Sequence, residues 1–202
     1  MKPQFSTLII LTLVCAALLT PFALSPIYLD MMRDRSLDLH QFVRGEWYKQ
    51  GTGYTALVLV IIEMMLTARK RSRKWPLKVR IPGSVMLWRV LHVFTGVFLL
   101  AVVLLHTVGS SGLNFNAVFL WVFFGVTFTA LVGVVAETGV LESPRKVFSF
   151  SGEKIVNGEA VGIGKGTLVR GMRAIWLPTH ILLVSVFTLM LGFHIFLAYL
   201  FR

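Results

Sequence analysis

Apolar residues in this chain neither alternate nor recur on one narrow face. They run in five nearly unbroken blocks, at about 7–25, 52–68, 86–108, 116–136 and 174–200. A block of about 20 such residues, rising 1.5 Å each in a helix, crosses the hydrocarbon core of a bilayer. Inside lipid every main-chain N–H and C=O must find its partner within the segment, which for blocks of this length means α-helix. The pattern predicts an all-α polytopic membrane helical bundle of about five transmembrane helices. It forms a single membrane-embedded domain over residues 1–202. The first block has a second reading. Lys2, the apolar run, and the small residues near Ala23 and Ser25 also suit a signal sequence. Its near-full spanning length favours a retained helix.

Composition agrees with the pattern. Of 202 residues, 56% are hydrophobic and 14% charged, with mean hydropathy +0.77. Such a chain is membrane protein rather than soluble core. A net charge of +11 raises the question of nucleic acid, and its distribution answers it. Arg69, Lys70, Arg71, Arg73, Lys74, Lys78 and Arg80 fill the connection between the second and third blocks. Arg145, Lys146, Lys154, Lys165, Arg170 and Arg173 fill the connection between the fourth and fifth. The connection 107–115 is uncharged, and 26–50 balances Arg33, Arg35, Arg44 and Lys49 against Asp30, Asp34, Asp38 and Glu46. Basic loops stay on the cytoplasmic side. The expected orientation has the N-terminus inside and the C-terminus outside, in a bacterial-type inner (cytoplasmic) membrane. The lipid bilayer is the implied partner of the basic loops, and nucleic acid is not.

The chemistry lies in four of the five histidines. His92 and His106 stand fourteen residues apart in the third block, and His180 and His194 fourteen apart in the fifth. Fourteen residues make nearly four helical turns, so each pair shares a face, with about 21 Å between its members. Ionisable groups at such depth are costly and mark function. The plain alternative is a set of polar residues hydrogen-bonded between packed helices. Against it stand the repeated spacing and the repeated flank, Trp88 before His92 and Trp176 before His180. In the expected orientation both helices run from inside to outside. His92 then matches His180 near the inner face, and His106 matches His194 near the outer face.

Two histidines on one helix so far apart cannot share an ion, so each must pair across helices. Zinc prefers a compact tetrahedral set with cysteine or carboxylate. Haem iron needs only one or two axial ligands from the protein. Two haem b groups fit, with the four histidines as axial ligands in the pairs His92/His180 and His106/His194. Cys15 is the only cysteine. It excludes an intrachain disulfide, a Cys-x-x-Cys-His haem attachment, and a cluster held by this chain's thiolates alone. Gly96, one turn after His92, and Gly192, just before His194, would let a flat macrocycle approach a helix; tight helix packing explains them equally well. Phe94, Phe98, Phe187, Phe193 and Phe196 are candidate ring contacts. Arg89, with Lys78, Arg80 and Arg173, lies where propionates of the inner haem would emerge; the alternative for Arg89 is an interfacial snorkelling arginine.

Two helices that each carry two histidines fourteen apart resemble the dihaem membrane cytochrome b architecture. It is found in the cytochrome b of quinol–cytochrome c oxidoreductases and, in a related form, in the membrane domain of ferric reductases and NADPH oxidases. Leu91-His92 through His106-Thr107 and Pro178-Thr179-His180 through His194 carry the resemblance. It covers the third to fifth blocks well and the first two poorly. No flavin or nicotinamide module follows, and the chain is short for a quinol-oxidising cytochrome b. Gly45-Glu46-Trp47-Tyr48 is similar to a quinol-site tetrapeptide of that family. Its first residue differs and it precedes the haem helices, so it is read as coincidence.

The expected function is a b-type cytochrome subunit that carries electrons across the membrane through two bis-histidine haems within a larger redox complex. Other redox subunits are the expected partners, with quinone as a further candidate. Two alternatives stand: a membrane quinone or ferric reductase acting on its own, and a haem-free transporter or scaffold subunit. Glu63, inside the second block, suits a proton path or quinone contact and equally a protonated glutamate bonded to a neighbouring helix or one reaching the interface. Glu137 is expected at the interface and His40 in a solvated loop. Gly162-Ile163-Gly164-Lys165-Gly166 fails as a phosphate loop, because Glu159 stands where the first glycine belongs and no Ser or Thr follows the lysine. Asn157-Gly158 predicts a small hairpin between 154–156 and 160–161.

Overall fold

A computed structural model describes residues 3–71, 82–109, 114–149, 154–156 and 159–200. Seven α-helices occur among them: α1 Phe5–Ala23, α2 Ser25–Arg35, α3 Leu37–Arg44, α4 Glu46–Arg71, α5 Val85–Thr107, α6 Phe115–Glu142 and α7 Lys165–Leu200. Five, α1, α4, α5, α6 and α7, are long and apolar enough to cross a membrane. The chain is thus an all-α integral membrane protein, as its five blocks predict. Arg73, Lys74, Lys78 and Arg80, which contribute to the expected inner charge, lie outside the described residues.

The helices differ from the apolar blocks at their ends. The connection 26–50 is mostly helical, as α2 and α3, with the second spanning helix starting already at Glu46. His40 sits on α3 rather than in a loop. The fourth spanning helix continues past 136 to Glu142, and the fifth begins at Lys165 rather than 174. Hydropathy marks only the lipid-buried part of a helix. Main-chain bonding carries the helix on into polar sequence wherever charges are paired or exposed. Here Glu137 of α6 meets Arg173 of α7 in a two-pronged ion pair.

Two compact units organise the chain: Met1–Pro3 with Ile10–Ala117, and Gln4–Ile9 with Val118–Arg202. In the first, α4 and α5 pack antiparallel. Arg69 donates to the Pro82 carbonyl at one end (3.2 Å), and Tyr48 donates to the Leu105 carbonyl at the other (2.9 Å). Local signals set the limits of α5. The Ser84 hydroxyl accepts from Leu87 N–H (3.1 Å), an N-cap that satisfies one open donor. Beyond Thr107, Val108 takes the left-handed conformation and its N–H closes on Leu104 O. Gly109, at φ +118°, lies so close to Ser25 and Tyr28 that a Cβ would collide with both. The Tyr28 hydroxyl donates to the Val108 carbonyl, and Ser25 is fully buried.

In the second unit α6 and α7 are likewise antiparallel. Gly125 faces Leu183, and Gly133 lies under the Trp176 indole with no room for a Cβ. Phe187 is buried against Phe119 and Phe123, with ring centroids 5.3 and 5.4 Å apart. The connection between the two helices is held by short antiparallel ladders. Val147–Phe148 (β1) pairs with Ile163–Gly164 (β4). Lys154–Val156 (β2) pairs with Glu159–Val161 (β3), as the expected hairpin would; residues 157–158 between them lie outside the described residues. Lys165, the lysine of the failed phosphate loop, donates its ammonium to the Leu141 and Ser143 carbonyls (2.9 and 2.7 Å) and so caps α6.

Candidate functional site

Within the first unit, α4 supplies a polar neighbour to each histidine of α5. The Glu63 carboxylate pairs with His92 Nδ1. The Glu63 side chain is only 13% exposed, and its partner is one of the four candidate ligands. Gly96, one turn on, faces the same carboxylate at about 3.9 Å from where its Cβ would be. A side chain at Gly96 would therefore meet Glu63 only at ordinary contact distance.

Eleven residues earlier on α4, three turns along the same face, Thr52 Oγ1 lies 3.0 Å from His106 Nδ1. Gly53 brings the helix backbone against the same ring; a Cβ there would stand 3.1 Å from His106 Cε1. Lys49 donates its ammonium to the carbonyls of His106 and Thr107. These last carbonyls of α5 have no partner within the helix, and a cation is the expected cap.

In the second unit, α6 does for His180 what α4 does for the α5 histidines. His180 Nδ1 lies 3.2 Å from the Val126 carbonyl and 3.4 Å from Thr129 Oγ1. Trp176 lies one turn before it, its ring centroid 6.5 Å from the imidazole. His194 is held by aromatic packing, with Phe119 5.5 Å away between centroids.

These contacts determine a tautomer. A carbonyl oxygen only accepts, so His180 Nδ1 must carry the proton toward Val126. A threonine hydroxyl has one proton, and Thr52 gives it to the Tyr48 carbonyl at 2.7 Å; it accepts from His106 Nδ1–H. Glu63 stands in ion-pair contact with His92 Nδ1. Two rings, those of His106 and His180, thus carry hydrogen on Nδ1 and their lone pair on Nε2. Metal-bound histidines are held in this way, the far nitrogen donating to a carboxylate, hydroxyl or main-chain carbonyl that fixes the ring.

Other candidates find different surroundings. Arg89 is exposed on α5. Arg173 has its charge balanced by Glu137. Phe94, Phe98, Phe193 and Phe196 are exposed, whereas Phe187 is core. A Cβ at Gly192 would meet nothing within 4 Å. Among the described residues no three His, Cys, Asp or Glu side chains gather as a metal site. Thr52, Thr129 and Lys49 escape a reading that looks for ligands alone. Their signal is a polar residue at the depth of a histidine, found once consecutive spans are folded antiparallel. No family model, curated protein or solved structure matches the chain.

Proposed function

We propose that this protein is a b-type cytochrome subunit of a membrane redox complex, which passes electrons across the membrane through two bis-histidine haems. The observation that carries the reading is the common orientation of His92, His106 and His180: each turns Nδ1 to a polar group on the neighbouring helix. Such a ring presents Nε2 to iron with its rotation already fixed. A histidine kept only for helix packing has no need for the same nitrogen to be engaged at three separate sites.

The ligand pairs proposed are those that the matched sequence positions suggest, His92 with His180 and His106 with His194. Haem b, when bound, supplies one-electron chemistry at iron, and two imidazoles per iron leave no position for oxygen or substrate. The chain's own residues would hold the rings, and their Nδ1 contacts would fix the tautomers of His106 and His180. An electron carrier of this kind depends on partners at both ends. Other redox subunits, with quinone as one possible acceptor or donor, supply them, in a bacterial-type inner membrane with its basic connections inside.

A haem-free transporter that uses the Glu63–His92 pair for protons is the competing reading. The dithionite-reduced minus oxidised visible spectrum of the purified chain separates the two. The cytochrome reading expects b-type absorbance and two non-covalent haems per chain by pyridine haemochrome. A chain expressed with ample haem that shows no such absorbance would be the transporter. Rapid quinol or ferric-iron turnover by the chain alone would instead favour a self-sufficient reductase.

A further inference from the structure

Where α6 runs into the basic connection, the second unit holds an open cleft of about 470 Å3. Its construction starts at α1. The first N–H groups of a helix have no partner within it, and that of Phe5 donates to the Glu142 carboxylate (3.2 Å). This fixes the Phe5 ring over Gly139, where a Cβ would stand 2.9 Å from it. The β1–β4 ladder brings in Phe148. Val140 and Met172 extend the apolar wall, and Ser143 and Arg145 line the polar end. The deepest α6 residue of the cleft is Val135, eight residues before Ser143, or about 12 Å along the helix. The cleft therefore leads from an apolar spanning segment into the basic connection, and none of the four histidines lines it.

Charge at the polar end is positive. Lys165 seats its ammonium on the Leu141 and Ser143 carbonyls. Arg145 is exposed, and among the described residues no ion pair engages its guanidinium. The neighbouring carboxylates are already occupied, Glu142 by the Phe5 N–H and Glu137 by Arg173. An apolar wall that ends at an unpaired guanidinium matches an amphiphile with an anionic head. We infer that the cleft seats one anionic phospholipid, an acyl chain along Phe5, Val140, Phe148 and Met172 and the phosphate at Arg145. A volume of this size is that of a small-molecule site. Nine residues line it, whereas a stable protein partner takes roughly 20–30 residues a side. Basic pockets at the ends of spanning helices hold anionic head groups in this way. The inference needs the membrane-spanning fold and not the haems.

The test is native mass spectrometry of the full chain in detergent, with phosphatidylglycerol and phosphatidylcholine of equal acyl length added in turn. Wild type should retain one phosphatidylglycerol about fivefold better than phosphatidylcholine, the worth of one cation at an anionic surface. Arg145→Gln should bring the two lipids within twofold. Arg170→Gln removes an exposed charge from the same basic set but outside the cleft, and should leave the preference as it is. Met172→Trp fills the apolar wall and should lower retention of both lipids. Should Met172→Trp fail to fold, Val140→Phe fills the same wall. Inorganic phosphate in large excess should not displace the lipid, because it gains nothing from the wall. Equal retention of the two lipids by wild type overturns the inference, as does a preference that survives Arg145→Gln or falls equally with Arg170→Gln. Lipid retained in full by a folded wall variant, or displaced by phosphate, overturns it too.

Discussion

The helix pairs α4–α5 and α6–α7 present the same histidine spacing in different company. In the first pair the supports are side chains that carry charge or hydroxyl: Glu63, Thr52 and Lys49. In the second they are a main-chain carbonyl, a threonine and aromatic rings: Val126, Thr129, Phe119 and Trp176. Both arrangements can hold an imidazole still. Only the first can also set its electronic character, because a carbonyl dipole and a phenyl ring bring no net charge. The pair richer in polar contacts is therefore the one in which substitutions should alter properties, and the other the one in which they should alter packing.

The largest effect expected is loss of a haem. Replacing His92 or His180 by leucine should remove the same spectral component and lower the haem content from two per chain to one, with the other component retained. Loss of a common component by the His92 and His106 variants would break the pairing by depth.

Next come the glycines. Gly133→Ala places a Cβ inside the Trp176 indole, and overpacking of this kind costs about 1–3 kcal/mol. Thermal unfolding in detergent should show a clear drop in midpoint. Gly125→Ala, with Leu183 3.5 Å away, should be close to neutral. Equal effects from the two would contradict the packing described for α6 and α7.

Threonine replacements sharpen the contrast further. Thr52→Val removes the hydroxyl on His106 Nδ1, a loss of about 0.5–1.5 kcal/mol. Thr129→Val should cost less, since His180 keeps the Val126 carbonyl. Haem retention under mild chaotrope reads the difference. The smallest effect is at the end of α5. Burial raises the Tyr28 hydroxyl above its ordinary value near 10. An acid whose folded value is raised contributes no pH dependence below its unfolded value, and stability falls as pH rises beyond it. Alkaline destabilisation starting near pH 10 should therefore be weaker in Tyr28→Phe.

Much of this architecture was legible because membrane physics writes in long blocks. Five apolar runs gave five helices, and Asn157-Gly158 falls between two strands that pair. The ends were not legible. Glu137 reads as a stop, yet Arg173 cancels its charge and α6 continues; Glu46 begins a helix that hydropathy starts only at about 52. The histidines were visible through repetition, which a single sequence can display. Their supports were not, since Thr52 and Thr129 resemble any other threonine in an apolar helix. Only antiparallel register brings them to a ring nitrogen. Glu63 was noticed as a costly residue, but its partner depended on which face of α5 met α4.

The account stands most directly on the coordination of its four histidines. Low-temperature electron paramagnetic resonance of the oxidised, purified chain should show two low-spin ferric haems with two nitrogen ligands each, and no high-spin iron. A major high-spin ferric signal, or a single low-spin species at full haem loading, would contradict it.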